Sequence, residues 1–438
     1  MNVSVFGLGY VGCVSAACLA REDHAVIGVD VNPDKVDMVN RGESTIVEEG
    51  IDALVREVVR EGALRATQDS VQAVADTEIS LVCVGTPGGA NGRIDLRFLH
   101  RVCADIGVAM RLKDAPHLVV IRSTVLPGTT EEVLIPVLES ASGKRVGEGF
   151  EVCVNPEFLR EGTSIRDFYA PPFTLIGATR DSAADRLARL YDGIDAPVHL
   201  LDMRAAEMVK YACNAFHGLK VSFANEIGNI CKALEIDSHE VMRVFCADTK
   251  LNLSSAYLRP GFAFGGSCLP KDLRALTYQA RQADVETPVL LAALESNRRQ
   301  IERAAEMVIQ AGHRKVGVLG LSFKEGTDDL RESPMVRLVE TLIGKGMQLE
   351  IYDRNVSRGG VLGANREFIE RQIPHIWSLM SDSMEMVVDG ADTLVLGNRA
   401  AEFRGLRAPR RDGQVVIDLV RVFEDRVTDA AGYRGVCW

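Results

Sequence analysis

No stretch of this chain stays apolar for the roughly 18 consecutive residues that a membrane-crossing helix needs. No membrane partner is expected. The opening residues lack a basic segment, an apolar core and a small-residue cleavage site, so no export signal is expected. They enter a strand pattern at once, Met1-Asn2-Val3-Ser4-Val5-Phe6. Cysteine is not scarce, but paired cysteine is absent. The ten cysteines are scattered, with no CxxC and no cluster at metal-ligand spacing. A structural metal and a disulfide scaffold are both excluded, and the thiols are expected to be reduced in a cytoplasmic protein. Positive charge is in deficit: 50 Lys and Arg stand against 61 Asp and Glu, a net charge of −11. That argues against a nucleic-acid partner. An anionic substrate would have to be met by local basic groups. The 47% apolar and 25% charged content is that of an ordinary globular protein, and the length suggests about three folding units.

The strand Val3-Ser4-Val5-Phe6 runs into Gly7-Leu8-Gly9-Tyr10-Val11-Gly12, and then into a small-residue helix pattern. A second strand, Ala25-Val26-Ile27-Gly28-Val29, ends in Asp30. Strand, GxGxxG, helix, strand and acid in that order form a dinucleotide fingerprint. Gly7 permits the tight turn, Gly9 lets the backbone approach a pyrophosphate, and Gly12 allows close helix–strand packing. The helix N-terminus faces the phosphates. Asp30 would bond ribose hydroxyls and repel a 2′-phosphate, so NAD is expected rather than NADP.

Further apolar strands end just before Thr86, Thr124 and Glu157. Alternating strands and helices imply a parallel sheet, whose ligands bind at the carboxyl ends of the strands. All three residues should therefore border the cofactor cleft, although each alone could be a turn or cap residue. Lys315 to Leu321 is again a strand into a glycine turn, and the strands at Leu349, Thr393 and Val415 repeat the plan without a full GxGxxG. A second Rossmann-like domain is expected there. The pair Asp328-Asp329 within it could be merely solvated. The fold class expected is α/β, with two Rossmann-like, parallel-sheet domains joined by a long central helix and a small helical domain. The expected boundaries are 1–201, 202–300 and 301–438.

Residues 204–234 contain no proline and read as one long helix. Glu207, Lys210, Tyr211, Asn214, His217 and Lys220 recur along it at three- and four-residue spacing, a polar stripe. Lys210 and Asn214, one turn apart, can both donate to a developing alkoxide. A solvated face would give the same stripe, and His217 alone is compatible with a structural role. Residues 261–272, Gly-Phe-Ala-Phe-Gly-Gly-Ser-Cys-Leu-Pro-Lys-Asp, place Cys268 at a loop-to-helix junction, with Pro270 in the first turn. Free N–H groups there favour a thiolate, and Asp272 lies on the same side. The alternative is a buried, inert cysteine. A dinucleotide site, a thiolate and a lysine–amide pair together suggest a dehydrogenase that carries an alcohol past the aldehyde. The cysteine would hold the aldehyde as a thiohemiacetal and then a thioester, and carboxylate-activated water would hydrolyse it.

The combination of residues 7–12, Asn155-Pro156-Glu157-Phe158-Leu159-Arg160-Glu161-Gly162, Glu207 to Tyr211 with Asn214, and residues 265–272 resembles the UDP-glucose/GDP-mannose dehydrogenase family over essentially the whole chain. Residues 251–253, 257–272, 320–334 and 436–438 are similar to its GDP-mannose-oxidising branch, while Ser255-Ala256 departs from the family pattern. The resemblance implies a four-electron, NAD-dependent oxidation of a nucleotide sugar at C6, GDP-mannose being favoured and UDP-glucose the alternative. It implies Cys268 as nucleophile and Lys210 and Asn214 at the oxyanion. Thr124 and Asp272 would position water or protons, and Glu157 would be the hydrolytic base. Glu161, His217, Asn225, Tyr257, Arg259, Phe262, Gly265 and Lys324 would contact the sugar nucleotide. Tyr10, Val11, Asp30, Lys35, Thr86, Thr124, Lys271 and Arg331 would contact NAD. It further implies a homodimer or dimer of dimers built on the long helix. A non-catalytic NAD or nucleotide-sugar sensor, and a two-electron hydroxyacid dehydrogenase that would not need Cys268, are the readings from other classes.

Overall fold

The computed structural model describes the chain except for residues 90, 234, 251, 253, 255, 256, 283, 285, 286, 357–360, 362, 407–410 and 424–431. Leu251, Leu253 and the Ser255-Ala256 departure thus lie outside the described residues. The chain divides into two compact units, Met1–Cys213 and Asn214–Trp438. The division falls inside the helix Met203–Ala233, so Lys210 is described with the first unit and Asn214 with the second.

The first unit is built on β1 (Asn2–Phe6), β2 (Ala25–Val29), β3 (Leu64–Thr67), β4 (Ile79–Val82), β5 (His117–Ile121), β6 (Phe150–Val154), β7 (Thr174–Ala178) and β8 (Val198–Leu201). They form one sheet in the order β3-β2-β1-β4-β5-β6-β7-β8. β4 and β5 are buried at every position, as strands covered by helices on both faces must be. One face packs on the helices Tyr10–Arg21, Ile51–Arg60 and Asp181–Ala188. The other packs on Arg97–Arg111 and Ile135–Ser142. The sheet departs from the expected all-parallel form at one place, since β6 and β7 pair antiparallel. The only helix between them is the six-residue Ser164–Tyr169. Six helical residues rise about 9 Å, less than the roughly 16 Å of a five-residue strand, so this helix does not run the length of the sheet as a parallel return needs.

The chain order reverses between β1 and β4, which is where Gly7 sits, at φ +94°. The helix Tyr10–Arg21 starts directly on this turn. A Cβ on Gly12 would lie 1.7 Å from the Gly7 carbonyl oxygen, a main-chain atom with nowhere to go. Gly12→Ala should therefore push the helix off the turn, with NAD affinity lost by about tenfold or more. Cofactor-fluorescence titration of the purified variant checks this, and unchanged affinity would refute the packing argument.

The second unit carries β9 (Lys315–Leu319), β10 (Gln348–Tyr352), β11 (Thr393–Leu396), β12 (Val415–Asp418) and β13 (Tyr433–Gly435) in the order β10-β9-β11-β12-β13. All pairs are parallel. One face packs on Pro288–Gln310 and Pro334–Gly344, the other on Met384–Gly390 and Phe403. The first turn is repeated closely. Gly320 has φ +91°, the Leu321 N–H donates to Asp353 at 2.8 Å, and the Leu8 N–H donates to Asp30 at the same distance. Among the described residues no helix is long and apolar enough to cross a membrane.

Candidate active site

In the first unit the cofactor candidates gather at the carboxyl edge of the sheet. Gly9 caps the helix Tyr10–Arg21 without a side-chain capping bond, and nothing lies within 4 Å of where its Cβ would be. The first-turn N–H groups and the open space beside them fit a pyrophosphate. Asp30 ends β2, accepts from the Leu8 and Asn32 N–H groups and pairs with Lys35 at 3.4 Å. Tyr10, beside half-buried Val11, accepts through its hydroxyl from the Gly162 N–H at 2.9 Å. The Thr86 hydroxyl donates to the Thr124 carbonyl at 2.9 Å. The residues present therefore fit a dinucleotide.

Glu157, three residues past β6, and Lys210, on the long helix, form an ion pair of 3.0 Å with side chains 7% and 6% exposed. The Lys210 ammonium also lies over the Phe158 ring, 5.4 Å from its centroid. The other Glu157 oxygen accepts from the Leu159 N–H at 2.7 Å. Glu161 is half-buried in the same loop. The polar stripe thus turns inward. Glu207, Lys210, Tyr211 and Asn214 are buried, whereas Met208, Phe216 and Phe223 are 42%, 41% and 40% exposed. Glu207 accepts from the Gly128 and Thr130 N–H groups, tying the helix to the segment after Thr124. Burial pushes the Glu207 carboxyl up, against those hydrogen bonds.

Sequence reasoning missed what holds the loop at 155–167. Glu48 accepts from the Gly162 and Ser164 N–H groups. Arg160 grips Asp167 through Nε at 2.9 Å and Nη2 at 2.6 Å. Burial works to raise the Asp167 carboxyl, but the Arg160 hydrogen bonds and charge outweigh it and leave it below its usual range. A depressed folded value means stability that is full above the unfolded value and is lost as pH falls through the folded one. Wild type should therefore lose thermal stability on acidification below about pH 4 more steeply than Asp167→Asn. Parallel melting curves across that range test this, and equal slopes would contradict it.

In the second unit, helix Leu269–Gln282 starts directly after Cys268, whose carbonyl accepts from the Asp272 N–H at 2.8 Å. Cys268 is the one exposed cysteine of the ten. Burial pushes the thiols of Cys18, Cys83, Cys103 and Cys153 up to about 12 and that of Cys437 up to about 11. Asp272, 1% exposed, pairs with Lys271 at 2.8 Å and accepts from the Asn214 amide.

Three carboxamides fix the glycine-rich run. Asn225 accepts from the Gly261 N–H at 2.8 Å and donates to the Phe262 carbonyl at 3.0 Å. Asn297 brackets Phe264 at 2.7 and 2.8 Å, and Gln300 donates to the Gly261 carbonyl at 2.6 Å. Gly265 leaves room for Pro334 and Glu332, and Gly266, at φ +85°, for the Phe323 ring. Residues 320–334 are thus packed on the cysteine's loop. Within them Arg331 grips Asp329 at 2.9 and 2.7 Å, and Lys324 is half-buried. Asp328 and Asp329 are 9% and 1% exposed, so the solvated reading of that pair does not hold. Tyr257, at φ +65°, stacks on His217 with centroids 4.7 Å apart, and Arg259 nearby in sequence is exposed.

Residues 1–195 match the NAD binding domain of the UDP-glucose/GDP-mannose dehydrogenase family. Residues 204–299 match its central domain and 317–425 its UDP binding domain. GDP-mannose 6-dehydrogenase of Pseudomonas putida is 51% identical over 438 residues, all of both chains. Among solved structures, a ternary complex of GDP-mannose dehydrogenase from Pseudomonas aeruginosa is 51% identical, with all of both chains covered and a TM-score of 0.58. A UDP-glucose dehydrogenase from Pyrobaculum islandicum is 33% identical with a TM-score of 0.90, covering 100% of this chain and 98% of that one. The glycine turn and Asp30, the buried lysine–glutamate pair and the exposed helix-capping cysteine accordingly lie in a chain that belongs to the UDP-glucose/GDP-mannose dehydrogenase family, with its NAD-binding domain at the N-terminal end.

Proposed function

We propose that the protein oxidises C6 of GDP-mannose from alcohol to carboxylate, supplying GDP-mannuronate for alginate synthesis in the cytoplasm. The observation that carries the reading is Cys268, the one exposed thiol, at the mouth of a helix in a chain equipped for a dinucleotide. NAD, when bound, would supply the hydride acceptor, one NAD for each of the two oxidations at C6. Gly7, Gly9, Tyr10, Val11, Gly12, Asp30, Lys35, Thr86, Thr124, Lys271 and Arg331 are assigned to holding it. Lys210 and Asn214 stabilise negative charge on the C6 oxygen, and the first oxidation leaves an aldehyde. The Cys268 thiolate adds to its carbonyl carbon, giving a thiohemiacetal, and loss of the second hydride leaves a thioester. Glu157 takes a proton from water, the hydroxide attacks the thioester carbon, and the Cys268 thiolate leaves as the acid forms. Thr124 and Asp272 position water and protons. Glu161, His217, Asn225, Tyr257, Arg259, Phe262, Gly265 and Lys324 are assigned to the sugar nucleotide.

Support for the GDP-mannose choice is the 51% identity to a GDP-mannose enzyme against 33% to 40% to UDP-glucose enzymes. The outward apolar residues Met208, Phe216 and Phe223 support a homodimer built on the long helix. Purified protein given GDP-mannose should form two NADH per sugar acid, and faster than with UDP-glucose. One NADH with free aldehyde would sink the mechanism, and a faster rate with UDP-glucose would replace the substrate.

A further inference from the structure

A second concave, cationic feature lies in the unit Asn214–Trp438, and none of its residues is assigned to the reaction. A cleft of about 520 Å³ is lined by Lys232, Arg299, Arg303 and Arg434, with Glu302, Glu306, Met307 and Gln310. That volume is typical of small-molecule sites. Several charges are already spent: Arg299 pairs with Glu295, and Glu302 with Arg298. Lys232 donates to the main-chain oxygens of Gly435 and Trp438 at 2.9 Å each. Burial pulls its ammonium down, with Arg303 and Arg434 adding like-charge repulsion. Half-buried Arg303 and exposed Arg434 complete the group. Neither guanidinium makes a hydrogen bond or ion pair among the described residues. Of the lining acids Glu302 is already paired, which leaves Glu306 alone against Lys232, Arg303 and Arg434, an excess of positive charge in a concavity that an anion would offset.

We propose that this cleft, between the helix Pro288–Gln310 and β13, is an anion site for a phosphate-bearing small molecule. Arg303 and Arg434 supply forked donors to the phosphate, and Met307 and Gln310 offer an apolar and an amide contact to whatever carries it. The ligand is either free phosphate or a nucleotide phosphate.

The test is hydrogen exchange on the full-length protein, following peptides covering 299–310 and 432–438. Inorganic phosphate and adenosine monophosphate are titrated at constant ionic strength, with chloride as control. Saturable protection is expected with at least one of the two phosphates. Its midpoint should rise about tenfold or more in Arg303→Gln and in Arg434→Gln, while the NADH midpoint stays where it is. Tighter protection by the nucleotide identifies the nucleotide source; equal protection identifies phosphate itself. Equal protection by chloride, or an unmoved phosphate midpoint in the variants, would overturn the proposal. Arg434 is exposed, so its variant keeps the test open should Arg303→Gln fold poorly.

Discussion

Cys268→Ser should lose acid formation, with kcat lowered by about 10³-fold or more, while thermal stability stays within about 0.5 kcal/mol. Stability is spared because the side chain is exposed and serine is nearly its size, with the Ser267 hydroxyl at 3.8 Å. Activity is lost because a serine hydroxyl is scarcely ionised near neutrality and is a far weaker nucleophile than a thiol. The first oxidation needs no thiol. The variant should therefore still give up to one NADH per sugar, with aldehyde accumulating. NADH counting and mass spectrometry of the peptide around residue 268 separate the two steps. Wild-type turnover in the variant would instead identify a two-electron dehydrogenase.

Lys210→Ala should do two separable things. Lys210 and Glu157 are 5% and 7% exposed and 3.0 Å apart. Removing the lysine leaves a buried carboxylate without its cation, which costs about 3–5 kcal/mol. It also removes an oxyanion donor, so kcat should fall by about 10²-fold. The double variant Lys210→Met, Glu157→Gln removes both charges at similar volume and should recover most of the stability but none of the rate. Denaturant melts and initial rates on the same preparations decide this. A change confined to KM would reassign Lys210 to ground-state binding. A melt unaffected by Lys210→Ala would mean that the pair is not buried in solution.

Most strands legible in the sequence are buried at nearly every position, although β10 was legible with Ile351 alone buried and the buried β7 was not read. β4, β5 and β11 are short apolar runs because every position faces a helix layer. β8 was not legible because all four of its residues are exposed. β3, with Arg65 outward between buried Leu64 and Ala66, is too short to show a period. The glycine turn could be read because its geometry is local. The three carboxamides that fix the cysteine's loop could not, because Asn225, Asn297 and Gln300 bond main-chain atoms 33 to 39 residues away. Nothing in their own neighbourhoods marks them. The long helix lies between these cases. Its polar stripe was visible, but whether that stripe faced water or the interior depended on partners such as Glu157 and Asp272, which come from other segments. The same limit applied to β7, whose direction is set by how the chain leaves the loop at 155–167.

The repeated turn after β9 has a consequence for what the second sheet can recognise. Asp353 stands where Asp30 stands, but it accepts from the Leu321 and Ser322 N–H groups, the Ser322 hydroxyl and the Asn355 N–H, and the Asn398 amide lies at 3.4 Å. A would-be Cβ on Gly320 also meets the Asn398 side chain. The Asp353 Oδ2 is crowded by the Leu321 and Ser322 donors, where the Asp30 Oδ2 meets the Leu8 N–H and Lys35, and the space beside the turn is filled. If both halves descend from one duplicated ancestor, this half has traded a receptor group for a keystone. It must then recognise a nucleotide by other atoms, and grafting the first turn's sequence onto it would restore the glycines without restoring the acid.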